Sequence, residues 1–164
     1  MLPIRTILHP TDFSPQSGYA FQLACALARD YVAHLIVLTV QPPEIVYGEG
    51  FVLPPDPEVV RKGLQEQLDR LQPPDPAIRV ERILEEGDPV QEILHTARET
   101  HADIIVMGTH GRTGVGRLLM GSVAEAVLRK APCPVLTVKA PLPETMAATD
   151  AGAEAIASGP GLIR

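Results

Sequence analysis

The sequence is poor in aromatic side chains, cysteine and long apolar runs. Tryptophan is absent, and three Tyr with three Phe bring the aromatic share to 4%. A core must therefore be assembled from Val, Ile, Leu and Ala. Two cysteines, Cys25 and Cys133, stand far apart without C-x-x-C spacing, which fits packed thiols in a reducing compartment better than a disulfide framework. Cys133, between Pro132 and Pro134, is expected to be buried. No apolar run approaches the roughly 20 residues of a membrane span. The start "MLPIRTILHP" lacks the apolar length and the A-x-A-like site of a secretory signal. The expected location is the cytoplasm, with no membrane partner. Clustered positive charge is missing as well: 14 Lys and Arg stand against 20 Asp and Glu, a net charge of -6. That balance argues against a general nucleic-acid binder. His9, His34, His95, His101 and His110 form no H-x-x-x-H or Cys/His cluster, which argues against a zinc site.

What is present suits one soluble domain. The chain has 164 residues, 45% hydrophobic and 21% charged, enough for one real core and too few for two typical domains. "TIL" (6–8) opens a strand ending at Pro10, and Ser14-Pro15 supplies a helix cap followed by proline at the first helical position. "HLIVLTV" (34–40) has the continuous apolar character of a strand covered on both faces. A Pro- and Gly-containing loop spans 41–57. Asp56-Pro57 repeats the cap device before a helix with a Val60, Leu64, Leu68, Leu71 stripe, which Gly63 weakens by about 1 kcal/mol relative to Ala. "AIRVERIL" (77–84) reads as a third strand. The acidic run Glu85, Glu86, Asp88 reads as a solvated turn and helix cap. Asp88-Pro89 opens a helix with Gln91 at the capping-box position, "DIIVM" (103–107) is a fourth strand, and "PVLTVK" (134–139) a fifth.

Strict β-α alternation predicts an α/β fold: an open, doubly wound, five-stranded parallel sheet with helices on both faces, a Rossmann-like nucleotide-binding architecture. In such sheets ligands sit beyond the carboxyl ends of the strands where the strand order reverses. That points to the loops after Leu8, Val40 and Met107. Residues 1–140 are expected to form the domain and 141–164, small and polar, a disordered tail.

"GTHGRTGVGRLLMGS" (108–122) carries the chemistry. Five glycines lie between a strand and a helix, and Ser122 followed by Glu125 reads as a capping box. Amides at a helix start form an anion site, and Gly108, Gly111 and Gly121 let a ligand approach the backbone. Arg112, Arg117, Arg129 and Lys130 make the segment 108–131 a positive island. Taken singly, each glycine is explained by a tight turn and Ser122 by capping; together, in this context, they point to phosphate. The pattern is not a Walker A loop, and no G-x-G-x-x-G follows the first strand.

Gly108-x2-Gly111-x9-Gly121-Ser122 is similar to the G-x2-G-x9-G-(S/T) motif of the universal stress protein family. "ILHPTDFSPQS" resembles that family's first strand and turn, and "APCPVLTVK" its last strand, so the likeness spans 3–139. The resemblance implies an ATP-binding member. Pro10, Thr11 and Asp12 would line the nucleoside, with Asp12 near ribose and metal-phosphate. The backbone of Val40 would meet the adenine edge. Met107, Gly108, His110, Gly111 and Arg112 would lie beside the phosphates, and Gly121, Ser122, Val123 and Ala124 would hold their β and γ groups. ATP with Mg²⁺ or Mn²⁺ is the implied ligand. The resemblance also implies a homodimer in which the last strands pair antiparallel, with Val135, Leu136 and Val138 at or beside the two-fold axis. No nucleophile–base pair declares itself, so the expected role is a nucleotide-binding stress-response module using ATP as a bound signal. A slow ATP hydrolase or phosphotransferase, and a dimeric scaffold with an empty pocket, stay open as alternatives.

Overall fold

The computed structural model describes residues 3–43, 56–109 and 120–139. Three helices begin by the same local device. Ser14, Asp56 and Asp88 each precede a proline, and their side-chain oxygens accept from the N–H of Ser17 at 3.2 Å, Glu58 at 3.0 Å and Gln91 at 2.9 Å. Proline has no N–H to leave unpaired at the first helical position, and its φ is already helical. The resulting helices are α1 (Pro15–Tyr31), α2 (Pro57–Arg70) and α3 (Pro89–Glu99). α1 stops at Val32, a β-branched residue 92% exposed in the left-handed region at φ 55°, where glycine or asparagine is the usual terminator.

The fourth helix, α4 (Ser122–Lys130), departs from the expected capping box. Gly121, not Ser122, is the extended N-cap, at φ -62° and ψ 148°, and no side chain caps the helix. The reason is tertiary: the Gly121 N–H is drawn onto the carbonyl of Thr109 at 2.8 Å, which fixes Gly121 in extended geometry and carries Ser122 into the first turn. Glu125 instead forms an ion pair with Arg129 at 2.9 Å, one helical turn on.

The strands are β1 (Thr6–Pro10), β2 (His34–Gln41), β3 (Val80–Glu86), β4 (Ile104–Gly108) and β5 (Val135–Val138). They form one parallel sheet in the order β3-β2-β1-β4-β5. The doubly wound arrangement expected above is the arrangement observed. β3 is displaced from the expected 77–84, because β2 runs to Gln41 and pairs onward to Glu86. Glu85 and Glu86 are thus exposed residues of an edge strand rather than a turn; Asp88 is the cap.

The sheet separates two apolar layers. Ile7, Val37 and Val106 pack under Ala24 and Cys25 of α1 and Leu68 of α2. Leu8, Ile36 and Ile105 pack on the other face with Ile93 of α3 and Val127 of α4. Full burial of each such side chain stabilises the fold by roughly 1.5–3 kcal/mol. Both cysteines are free, Cys25 buried and Cys133 half-buried; burial pushes the Cys25 thiol up to about 11. Arg82 of β3 reaches back to the end of α2, donating to the carbonyls of Leu68 at 3.1 Å and Leu71 at 2.6 Å.

Strands β1 and β4 pair over only two positions, Ile7 with Ile104 and Leu8 with Ile105. Side chains fasten both ends of this joint. Below it, the Asp103 carboxylate accepts from the N–H of Arg5 at 2.7 Å and Thr6 at 2.9 Å; these bonds hold its pKa below the ordinary carboxylate value. Above it, the fully buried His9 places Nδ1 2.8 Å from the Val106 carbonyl. Its ring packs against Phe21 with centroids 5.6 Å apart.

Burial lowers the His9 pKa to about 4 against an ordinary 6.5, although the bond to Val106 and the charge of Asp12 work in the opposite direction. The unfolded chain therefore binds the His9 proton more readily than the folded one. His9 imposes no penalty above pH 6.5, and its acid penalty grows as pH falls from 6.5 to 4, reaching about 3 kcal/mol. Urea denaturation between pH 7 and pH 4 should show this loss of stability, and His9→Phe should flatten it. An unchanged slope in His9→Phe would place the titration elsewhere.

Candidate functional site

The crevice opens where β1 and β4 part company. A cavity of about 500 Å³ lies over the carboxyl ends of β1, β2 and β4, at the point where the strand order reverses. Its β1 wall is Pro10, Thr11 and Asp12; Val40 lies at the end of β2; Met107 and Gly108 form the end of β4; and Gly121, Ser122, Val123 and Ala124 form the start of α4. Ten of the residues named from the sequence thus line one cavity. His110, Gly111 and Arg112 lie outside the described residues, as do Arg117 and the tail 141–164.

The β1 wall is built by a tight turn of hydroxyls. Thr11 donates its N–H to Leu38 O at 2.8 Å, and its Oγ1 lies 2.6 Å from Ser17 Oγ. The Phe13 N–H donates to Thr11 Oγ1 at 3.1 Å, the Ser14 N–H to Asp12 Oδ1 at 3.0 Å. Thr39 donates to the Thr11 carbonyl at 3.0 Å. These bonds hold Phe13 at φ 61°, a conformation that costs a non-glycine residue roughly 1–3 kcal/mol. Asp12 accordingly serves both as an Asx-turn residue and as part of the crevice wall.

The backbone makes the α4 wall electropositive. The helix ladder begins with the Glu125 N–H donating to Gly121 O at 2.9 Å, so the preceding amides belong to the first turn, where the helix itself supplies no acceptor. They carry the positive end of the helix dipole at the crevice. Gly121 presents no Cβ there. The positive island read from the sequence is divided: Arg129 and Lys130 occupy the last turn of α4, at the end of the helix away from the crevice.

Several lining residues carried no signal in the sequence. Val60 and Leu64 look like core positions of an amphipathic helix, yet only Leu68 of α2 is buried, and Val60 and Leu64 overhang the crevice. Pro42, Pro89 and Ile93 extend the same apolar side, while Thr39, Ser17 and Thr109 add hydroxyls. The helical stripe period was the available clue for Val60 and Leu64, but a stripe alone does not distinguish a cavity wall from a core. Among the described residues no group of His, Cys, Asp or Glu is arranged to hold a metal ion, and no helix is long and apolar enough to cross a membrane.

Comparison with known proteins agrees with this architecture. The model of the universal stress protein family matches residues 3–139. The chain is 34% identical over 148 residues to universal stress protein MJ0531 of Methanocaldococcus jannaschii, covering 85% of each chain. It is 35% identical over 140 residues to a universal stress protein of Thermus aquaticus, covering 82% of this chain and 98% of that one. Among solved structures, MJ0577 superposes with a TM-score of 0.67 at 28% identity, over 85% of this chain and 99% of that one. A universal stress protein in complex with cAMP superposes with a TM-score of 0.63 at 27% identity, over 84% and 98%.

The Gly121 cap has a direct consequence for Ser122. Ser122→Ala should move the urea denaturation free energy by no more than about 0.5 kcal/mol, whereas Asp88→Ala, which removes a bonded cap, should cost about 1 kcal/mol. Equal losses in the two variants would return the capping role to Ser122.

Proposed function

This chain belongs to the universal stress protein family, and from that premise we propose that its crevice binds ATP as a regulatory ligand. The observation that carries the reading is the meeting, across one cavity at the switch point, of the α4 amides behind Gly121 and the Asp12 turn. The phosphates lie against Gly108 and the amides of Ser122, Val123 and Ala124, and the family motif assigns His110, Gly111 and Arg112 to the same ligand. The nucleoside occupies the side formed by Pro10, Thr11, Asp12 and Val40. Asp12 is the lining carboxylate that would balance a Mg²⁺ or Mn²⁺ ion carried in with the phosphates. The relative solved with cAMP supports an adenine nucleotide as the ligand class. The cytoplasm is the compartment proposed for this function.

A bound signal fits the side chains better than rapid turnover. The Thr11 and Ser17 hydroxyls bond to one another, and His9, the imidazole on β1, is buried with its Nδ1 committed to Val106. Calorimetry with ATP, ADP and adenosine should therefore rank ATP tightest and adenosine weakest, by about tenfold or more, with phosphate release slow or absent. Gly121→Val should lower ATP affinity by about tenfold or more, because a branched side chain then stands where phosphate approaches. Steady phosphate release would favour the hydrolase reading. Absence of nucleotide binding would leave the scaffold.

The same proposal includes a homodimer. β5 has β4 on one side only, its outer edge has no strand neighbour among the described residues, and Leu136 on it is 37% exposed. Open strand edges are templates for pairing with a second chain, and Val135, Leu136 and Val138 supply the apolar contact about a two-fold axis. Sedimentation should give a dimer for the wild type and a shift towards monomer or aggregate for Thr137→Pro, because the backbone of Leu136 faces β4 and that of Thr137 the open edge. A wild-type monomer at high concentration would reject it.

A further inference from the structure

Backbone parity at the β1–β4 joint exposes a missing hydrogen-bond donor. The Thr11 N–H bonds to Leu38 of β2, and the Asp103 N–H bonds to the carbonyl of Thr6. Residues 9 and 11 of β1 therefore turn their backbone groups towards β2, and residues 6, 8 and 10 towards β4. On β4, the Ile105 N–H bonds to Pro134 O at 2.9 Å, so Ile104 and Val106 turn theirs towards β1. One step beyond the last pair, Leu8 with Ile105, a parallel ladder would join the Val106 carbonyl to the N–H of residue 10. Residue 10 is proline and has none. The strands separate there, and the crevice begins.

We propose that His9 is a positioning residue of the ligand crevice, its Nδ1–H supplying Val106 with the donor that Pro10 lacks and thereby holding the end of β4 at the width the crevice requires. The bond is 2.8 Å long and wholly buried. A carbonyl only accepts, so Nδ1 carries the proton and the neutral ring leaves Nε2 bare. Nε2 is indeed buried without a partner. Such an atom is costly in a core, and it is tolerated because the opposite nitrogen closes the joint. Two residues past Val106 stands Gly108, and two past Pro10 stands Asp12, both on the crevice wall. The imidazole thus fastens the two strand ends from which opposite walls depart. The inference deepens the nucleotide reading and rests on it for the identity of the ligand.

The test compares His9→Phe, which keeps the ring volume and removes the donor, with His9→Asn, which keeps a donor at the same bond count and loses the ring. Amide hydrogen exchange on the ligand-free protein should speed up at Gly108 and Thr109 by on the order of tenfold in His9→Phe. It should stay near wild type there in His9→Asn, even where that variant melts lower. ATP affinity should follow exchange rather than melting temperature: about tenfold weaker in His9→Phe and within about threefold in His9→Asn. Exchange that tracks the melting temperature in both variants, or wild-type exchange in His9→Phe, would overturn the assignment. Nitrogen-detected NMR of the wild-type ring gives an answer that needs no variant to fold: Nδ1–H with bare Nε2 is expected, and the reverse tautomer would overturn the inference. A wild type that binds no nucleotide would remove the proposed ligand, while exchange would still decide the role of His9.

Discussion

The structure depends on the place where two neighbouring parallel strands stop being neighbours. β1 lies in the middle of the sheet, with β2 on one side and β4 on the other. With β2 it pairs along its whole length, from Thr6 to Pro10; with β4 it pairs at two positions only. A sheet interior cannot leave backbone groups unpaired without cost, so a crevice between central strands requires a controlled end to the ladder. Asp103 at one end and His9 at the other supply the bonds that short pairing leaves out.

From that joint the walls follow in order. β1 runs directly into the Thr11–Ser14 turn, whose hydroxyl and carboxylate bonds hold Phe13 in the left-handed region. β4 runs into Thr109, whose carbonyl accepts the Gly121 N–H and so sets the direction in which α4 leaves. The helix start and the acidic turn then face one cavity from opposite strands. The electrostatic contrast between them, among the described residues, comes from backbone amides on one side and the Asp12 carboxylate on the other.

Much of this was legible in the sequence because its determinants are local. Ser14-Pro15, Asp56-Pro57 and Asp88-Pro89 each specify a helix start within two residues, and all three helices start there. The β-α alternation specified the fold, and the switch-point rule placed the crevice. What was not legible depends on distant partners. Whether Gly121 or Ser122 caps α4 is decided by the Thr109 carbonyl, across a gap of a dozen residues. The limits of β3 are set by the length of β2, so Glu85 and Glu86, polar enough for a turn, are held in a strand. Val60 and Leu64 have core spacing but border a cavity. His9 formed no metal motif, and its meaning emerges only when Val106, nearly a hundred residues on, is laid beside it.

The central claim is that the ligand enters between the parted ends of β1 and β4 and lies against the start of α4. Two-dimensional amide NMR of the wild-type protein during titration with magnesium ATP tests it most directly. The account predicts that the largest shifts cluster at Thr11, Asp12, Gly108, Thr109 and Gly121–Ala124, while the outer faces of α1 and the C-terminal turn of α4 stay still. Saturable shifts centred on another surface, with those amides unmoved, would contradict it.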